Sequence, residues 1–217
     1  MPRLPVYHDL HLRPCSSGTV RLLRLPGFAV TDLTTLPLSV DELARVKAAA
    51  SALAADPESP VYRHEQAEAY VRLLLVSGMH PSVLSNPRKS RIATEISSQT
   101  VRVIWERPKK RGKAALCSLS LPLPEYQWVM PFIEDLVSRP VCYDTIKRLL
   151  HAVGARAGVV LSARRLRHTC AVHLLRAGVP SSVVQDQLNV SPQVLRAYGR
   201  YLSEDRERIV QEALASL

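Results

Sequence analysis

The C-terminal third of the chain holds three short helical patterns in succession, and this run constrains the fold more than any other stretch. It extends from Ala163 to Leu202. Glycine and proline interrupt helices. The first two patterns are separated by Gly178-Val179-Pro180, and the second and third by Ser191-Pro192. The stretch therefore predicts three helices joined by tight turns, with the last brought back beside the first.

One face of the first predicted helix is cationic. Arg164, Arg167 and His168 stand at positions i, i+3 and i+4, which places them on the same side of a helix. The third helical pattern carries Tyr198. A tyrosine hydroxyl beside cationic donors is a candidate phosphate site with its own nucleophile, so the stretch predicts a function as well as a fold.

The rest of the chain predicts helices on both sides of a small sheet. Ser39 and Glu42 form a capping box at the start of a helix. Pro131 either kinks a later helix or marks its start. The other predicted helices cover residues 62–77, 81–86, 125–138, 142–157 and 204–217, and the predicted strands cover residues 91–97, 100–106 and 114–121. This order predicts a mainly helical α+β fold with a small three-stranded antiparallel sheet.

One domain boundary follows from the same patterns. Residues 1–36 are proline-rich and irregular, and they predict an N-terminal arm, a small ribbon or a linker. Residues 37–217 carry all the strong helical and strand patterns, so we interpret them as one domain that includes the last helix.

Positive charge is concentrated in two blocks of an otherwise near-neutral chain. The 217 residues have a formal net charge of +10. Residues 86–113 carry nine basic and two acidic side chains, and residues 139–176 carry eight basic and one acidic. Localised charge of this kind is typical of a surface that binds a polyanion. The charge pattern therefore predicts a nucleic-acid partner.

Several other classes of protein are disfavoured by composition. No apolar run approaches the roughly 18 residues that a membrane span needs, and the N-terminus has no secretory signal pattern. The four cysteines are scattered without a CxxC pair. We therefore predict an intracellular protein without a membrane partner, a metal site or a redox site.

Four segments and a tyrosine together resemble the tyrosine recombinase (phage integrase) family. Arg164 to Gly178 resembles its His-x-Leu-Arg-His-Thr run and the helix after it, and Val183 to Val190 resembles its Ile-Gln-x-x-Leu-Gly-His segment. Leu75 to Pro81 is similar to its Thr-Gly-Leu-Arg segment, and Lys110 to Lys113 to its Lys-Thr-Gly-Lys hairpin. Tyr198 stands about where the family has its nucleophile. The resemblance covers roughly residues 37–217 and implies the catalytic-domain fold of the family.

The resemblance also implies a chemistry. In the family a tyrosine attacks a phosphodiester of duplex DNA and forms a 3′-phosphotyrosyl link, while cationic donors neutralise the phosphoryl oxygens. Tyr198 matches the nucleophile, with Tyr201 as the alternative, and Arg167 matches the second arginine. Lys110 matches the hairpin lysine that protonates the leaving oxygen, with Lys109 and Lys113 as alternatives. No metal or other cofactor is implied.

Three positions depart from the family pattern. His80 stands where the first arginine is expected, and a histidine cannot hold two phosphate oxygens at once. Arg164 stands where His or Lys is usual, and an arginine does not readily exchange a proton. Val190 stands where His or Trp is usual, and its side chain offers no hydrogen bond.

These departures leave three functions open. The first is a duplex DNA-binding pseudoenzyme that retains the fold but whose cleavage is lost or impaired. The second is an active recombinase or integrase that works with Arg167, Lys110, Arg164, His80 and Tyr198. The third is an assembly partner whose last helix docks on another copy in a homo-oligomer. The candidate DNA contacts are Arg88, Lys89, Arg91, Lys109, Arg111, Lys113, Arg165 and His168.

Overall fold

A computed structural model describes residues 36–107 and 115–199 of the chain. The strands are β1 (Ala93–Ile96), β2 (Thr100–Arg107) and β3 (Ala115–Pro122). The helices are α1 (Val40–Ala54), α2 (Ala67–Ser77), α3 (Pro81–Ser85), α4 (Leu123–Tyr126), α5 (Val129–Ser138), α6 (Tyr143–Ala157), α7 (Ala163–Arg176), α8 (Ser181–Leu188) and α9 (Pro192–Gly199). The predicted mainly helical α+β class is confirmed.

The first helix begins where the capping box predicts. The Ser39 side chain accepts a hydrogen bond from the Glu42 N–H at 3.2 Å, and the Glu42 carboxylate accepts one from the Ser39 N–H at 2.9 Å. Two of the otherwise unpaired N–H groups of α1 are thereby satisfied.

The three strands form one antiparallel sheet in the order β1-β2-β3. Along β2, Val101, Val103 and Trp105 are buried, and the intervening Arg102 is exposed. This alternation arises because successive strand side chains point to opposite faces. One face of the sheet therefore closes the core.

Two predicted helices are each divided. Arg63 adopts a left-handed backbone with φ 65°, so the stretch predicted from residue 62 begins with a 3-10 turn, His64–Gln66, before α2. The stretch predicted from residue 125 is divided into α4 and α5, and Pro131 lies in the first turn of α5, where a proline ring fits. The boundary at Arg63 reflects a tertiary contact, because its guanidinium bonds Asp135 of α5.

The buried side chains form two clusters. The larger cluster joins α1, α2, α5 and α6 to the sheet. The smaller cluster lies among α7, α8 and α9 and consists of Cys170, Ala171, Val172, Val184, Leu188, Leu195 and Tyr198. The three short helices with which the sequence argument began therefore have their own apolar centre.

Several predictions lie outside the described residues. These are residues 1–35 of the N-terminal arm or linker predicted over residues 1–36, the hairpin residues Lys109, Lys110, Arg111 and Lys113, the alternative nucleophile Tyr201, and the last helix over residues 204–217. Within residues 36–107 and 115–199, no helix is long and apolar enough to cross a membrane.

Candidate functional site

Arg167 joins three helices at the centre of the candidate site. It lies on α7, and its guanidinium donates to the Gly78 carbonyl at 2.8 Å and to the Leu188 carbonyl. Gly78 ends α2 in a left-handed conformation, and Leu188 is the last residue of α8. Carbonyls at helix C-termini lack intrahelical partners and carry partial negative charge. The arginine therefore neutralises two helix ends.

Tyr198 lies inside the smaller apolar cluster beside Arg167. Its side chain is only 3% exposed, and its ring contacts the edge of the His168 ring with centroids 4.9 Å apart. Burial raises the pKa of the Tyr198 hydroxyl, and the charge of Arg167 and a hydrogen bond from it offset part of that rise. The candidate nucleophile is thus neutral and enclosed, with a cationic donor at its oxygen.

Arg164 stands on the exposed side of the same helix. It lies one turn before Arg167 and His168, and its side chain is exposed. Its positive charge also acts to lower the pKa of Tyr198. Arg164 is therefore available to an anion that approaches the site from solvent.

His80 is held at the start of α3. Its Nδ1 accepts a hydrogen bond from the Ser82 N–H at 3.2 Å and lies 2.8 Å from the Ser82 hydroxyl. The imidazole ring lies nearly parallel to the Tyr143 ring, with an interplanar angle of 15° and centroids 6.4 Å apart. Because Nδ1 accepts from the backbone, the proton of the neutral ring resides on Nε2.

The segment after α8 gives no polar side chain to the site at position 190. Val190 is partly buried against the smaller cluster. Asn189, just before it, ends α8 in a left-handed conformation with φ 48°, which asparagine tolerates better than most residues. Asn189 thus adopts the left-handed conformation that a glycine would adopt at this position, and the side chain of the following Val190 is apolar.

Three predicted DNA contacts lie together at the turn before β1. Arg88, Lys89 and Arg91 are all exposed. Arg91 pairs with Glu106 at 3.0 Å while remaining 76% exposed. This turn therefore presents concentrated positive charge to solvent.

Arg165 is a predicted DNA contact, and such a contact requires an exposed side chain. In the structure the Arg165 side chain is buried. It donates to the Glu42 carboxylate at 2.7 Å, to the Leu36 carbonyl at 3.0 Å and to the Val160 carbonyl at 2.9 Å. All three arms of the guanidinium are used, so Arg165 fastens α7 to α1. The helical pattern could not distinguish it from its exposed neighbour Arg164.

A polar face on α6 was not among the predicted site residues. Asp144, Lys147, Arg148 and His151 surround a shallow cavity of about 290 Å³. They stand at i, i+3, i+4 and i+7, opposite the apolar side of the helix, so their spacing was a usable signal. Tyr143 precedes them at the start of α6 and contacts His80, which places this face next to the candidate site.

Within the described part of the chain, no three His, Cys, Asp or Glu side chains are grouped so that they could hold a metal ion. The cationic or polar groups that the structure brings to Tyr198 are Arg167, Arg164 and His168. Such groups suit an anion rather than a metal cation.

Comparison with solved structures finds similar folds in recombinases. The XerH site-specific recombinase bound to palindromic difH substrate, a post-cleavage complex, has a TM-score of 0.61 and 15% identity over 81% of this chain and 52% of that chain. The XerH pre-cleavage complex has a TM-score of 0.57 and 15% identity, over 80% and 53%. The XerA recombinase has a TM-score of 0.56 and 22% identity, over 82% and 65%. The chain thus spans between half and two thirds of these proteins, and the likeness concerns the fold.

Sequence comparison gives the family. No curated protein sequence matches the chain. The sequence model of the phage integrase family matches residues 48–200, a range that includes His80, Arg167 and Tyr198. The chain therefore belongs to the phage integrase family, whose catalytic-domain fold it adopts.

Proposed function

We propose that this protein binds duplex DNA through the recombinase fold and that its strand-cleavage activity is lost or severely impaired. The two basic blocks and the exposed cations at the turn before β1 and on α6 support DNA binding. The similarity in fold to XerH bound to difH substrate supports the same conclusion. The binding is dominated by phosphate contacts and is therefore strongly salt-dependent. The resemblance to the family adds Lys110 to the residues proposed to contact DNA.

The observation that carries the proposal is the role of His80. The family's first arginine would hold two oxygens of the scissile phosphate. His80 instead uses Nδ1 to accept from the Ser82 backbone, which leaves Nε2 as its only other ring nitrogen. An imidazole whose Nδ1 is used in this way has at most one ring N–H for a phosphate, whereas a guanidinium has five donors, so it stabilises less transition-state charge.

Two further positions weaken catalysis in the same direction. Val190 supplies no hydrogen bond where the family has a donor, and Arg164 cannot act as a proton donor or acceptor near neutral pH. Removal of one oxyanion donor typically lowers a rate by about 10²- to 10³-fold. The alteration of two donors is the basis on which we propose that cleavage is lost or severely impaired.

One observation favours an active recombinase as the second candidate. Tyr198 receives a hydrogen bond from Arg167 and lies within the field of Arg164, so a nucleophile and two cations are already together. For cleavage, the α9 segment would have to expose Tyr198, which is 3% exposed. This candidate predicts the same DNA binding and differs only in the chemical step.

A nicked suicide duplex distinguishes the two candidates. Cleavage of such a substrate releases a short fragment, so the covalent protein–DNA complex cannot religate and accumulates on a denaturing gel. We expect the wild-type protein to shift the duplex in a native gel without forming this complex. A covalent complex that disappears in Tyr198→Phe would overturn the proposal in favour of an active enzyme.

Restoration of the altered donors tests why cleavage is lost. We expect the double variant His80→Arg, Val190→His to form covalent complex with the suicide duplex, and Tyr198→Phe in that background to abolish it. If the protein binds no duplex even at low salt, the assembly-partner function takes the place of DNA binding.

A further inference from the structure

We propose that an open cavity beside α2 and α5 binds a basic segment of a partner polypeptide, whose arginine side chain pairs with a carboxylate of the cavity. The cavity has a volume of about 450 Å³, which lies within the range of natural ligand sites. It is called the α2–α5 cavity here and is bounded by Glu65, Glu68, Arg72, Trp128 and Phe132. The inference does not depend on the proposed DNA binding.

Much of the wall of the α2–α5 cavity is apolar or aromatic. Trp128 and Phe132 contribute two rings tilted by 57°, with centroids 6.2 Å apart. Ala69 of α2 and Pro131 of α5 add further apolar surface. An arginine buries its methylene stem along such surface while its charged head remains at the edge. The wall therefore suits a long side chain that ends in a charge.

The charges that line the cavity favour a cation. Glu65 and Glu68 contribute two carboxylates, and Arg72 contributes one guanidinium. Arg72 pairs with Glu68 at 3.4 Å, and Glu68 also accepts a hydrogen bond from the Ser51 hydroxyl at 2.8 Å. The Glu65 side chain is 55% exposed, and the His64 Nδ1 lies 3.9 Å from it, beyond hydrogen-bond distance. Glu65 is therefore the carboxylate with capacity for an incoming donor.

One wall of the cavity belongs to an acidic stretch of a basic chain. Residues 114–138, which include α4 and α5, carry three acidic side chains and no basic one, although the whole chain has a net charge of +10. Complementary charge steers partners toward a surface and disfavours partners of like charge. A polyanion such as DNA is therefore disfavoured at this cavity, and a basic partner is favoured.

The structure already contains a guanidinium against aromatic rings at this place. The Arg72 Cζ lies 5.0 Å from the centre of the Trp128 ring and 5.6 Å from that of the Tyr126 ring. A planar guanidinium stacks on aromatic rings and binds a carboxylate through two parallel hydrogen bonds, whereas the ammonium of lysine is a compact point charge. We therefore expect the incoming cation to be arginine rather than lysine.

Two side chains that line the cavity each keep a buried polar atom without a hydrogen-bond partner among the described residues. These atoms are the Trp128 Nε1, a donor, and the Gln66 Oε1, an acceptor, since the Gln66 amide nitrogen donates to Asp135. Buried polar atoms are normally paired. A peptide unit carries one N–H and one C=O, so a polypeptide offers both kinds of partner that these two atoms lack.

The indole N–H of Trp128 gives a direct readout of binding in the nitrogen–proton correlation spectrum of the full chain. The chain has two tryptophans, so two indole signals are expected, and Trp128→Phe identifies the one that belongs to the cavity. The probe is the end-capped tripeptide Gly-Arg-Gly. We expect it to shift the Trp128 signal in a saturable way and to leave the signal of Trp105, which is buried under the sheet, unchanged.

Two further probes test the two parts of the proposal. The same tripeptide with citrulline in place of arginine keeps the shape without the charge, and it should bind about 2- to 5-fold more weakly, as expected for loss of a partly exposed ion pair. Methylguanidinium keeps the charge without a peptide and should also bind more weakly. Equal binding of the citrulline peptide overturns the role of charge, and equal or tighter binding of methylguanidinium overturns a polypeptide as the ligand.

A pair of variants locates the site on the protein. Glu65→Gln should weaken binding of the arginine tripeptide by about 2- to 5-fold. Glu134→Gln makes the same charge change at an exposed position of α5 that does not line the cavity, and it should leave binding unchanged. Equal effects of the two variants overturn the site, because net charge alone would then explain them. A Trp128 signal that none of the probes shifts at millimolar concentration also overturns it, and the proposed DNA binding is unaffected by either result.

Discussion

Arg167 is the residue on which the candidate site depends most. Its guanidinium binds carbonyls at the ends of α2 and α8 and also donates to Tyr198. A residue that the family resemblance presents as a phosphate ligand therefore also stabilises the folded chain in the absence of DNA.

Loss of this arginine should lower stability as well as any DNA-dependent activity. We expect Arg167→Ala to lower the free energy of unfolding by about 2–3 kcal/mol, because buried carbonyls lose charge-assisted hydrogen bonds. Urea denaturation followed by circular dichroism measures this change. The matched control is Arg164→Ala, whose exposed side chain should contribute less than about 0.5 kcal/mol. Equal effects of the two variants would contradict a structural role for Arg167.

Gly78 is required both by its backbone and by its neighbours. Its φ is +57°, and an added Cβ would overlap Leu188 Cδ2 and lie 3.2 Å from Cys170 Sγ. Leu188 and Cys170 belong to the smaller apolar cluster, so they cannot move without repacking it. We expect Gly78→Ala to cost about 2–4 kcal/mol, from backbone strain and overpacking together.

Gly178→Ala is a control that separates these two costs. Gly178 also has a positive φ, +78°, but nothing lies within 4 Å of a Cβ built on it. Its substitution should cost only the backbone strain, about 1 kcal/mol. A comparison of thermal midpoints shows whether steric overlap at Gly78 adds to that cost, and similar losses in both variants would mean that it does not.

At the scale of elements, α5 and the segment before α2 are joined by an ion-pair network. Arg63, whose side chain is 3% exposed, donates to Asp135 and to the Arg139 carbonyl. Gln66 and Arg139 also donate to the Asp135 carboxylate. Partial burial acts to raise the pKa of Asp135, but these hydrogen bonds outweigh it and lower that pKa to about 2.

This network predicts a specific pH dependence of stability. A carboxyl group with a lowered pKa stabilises the fold above its unfolded pKa of about 3.9, and that contribution is lost as the pH falls toward 2. At pH 7 we expect Asp135→Asn to lose about 3 kcal/mol, because it leaves Arg63 buried without a counter-charge. The difference between wild type and variant should shrink steadily below pH 4 in urea titrations. A difference that is constant from pH 7 to pH 2.5 would exclude this role for the carboxylate.

At the scale of the whole molecule, the net charge of +10 is presented in patches. Arg88, Lys89 and Arg91 stand before β1, and Lys147 and Arg148 stand on α6. Arg165 is excluded from this surface by burial. A single basic block in the sequence thus contains both exposed and structural arginines.

The salt dependence of binding should report which cations touch phosphate. We expect the affinity for duplex DNA to fall steeply between about 50 and 200 mM salt. Arg148→Glu should weaken binding and reduce the slope of log K against log salt by about 1. Lys47→Glu makes the same charge change at an exposed position on α1, beside a groove with α2 and α4. It should leave the slope unchanged, and equal effects of both variants would indicate that only net charge matters.

Local sequence signals predicted most of the elements because those signals act locally. The capping box at Ser39 depends on a few adjacent residues and is confirmed, and the strand predicted over residues 100–106 is confirmed as β2. The division at Arg63 was missed because its cause, Asp135, lies 72 residues away. The polar face of α6 was missed for another reason. The i, i+3, i+4, i+7 spacing of its residues can be seen in the sequence, but none of these residues belongs to a family motif.

The sequence by itself determined the fold class, the family and which residue types stand at the candidate site, including His80 and Val190 in place of donors. The fold class follows from the periodicity of apolar residues, and the family and the site residue types follow from the order of the motifs. Both can be determined from the sequence alone. Only the tertiary structure decided what each cation does: Arg165 is buried on Glu42, Arg167 holds two helix ends, and Arg164 faces solvent. The physical reason is that arginines one to three positions apart on a helix look alike in sequence, while their roles depend on which carbonyl, carboxylate or solvent the rest of the fold brings to them.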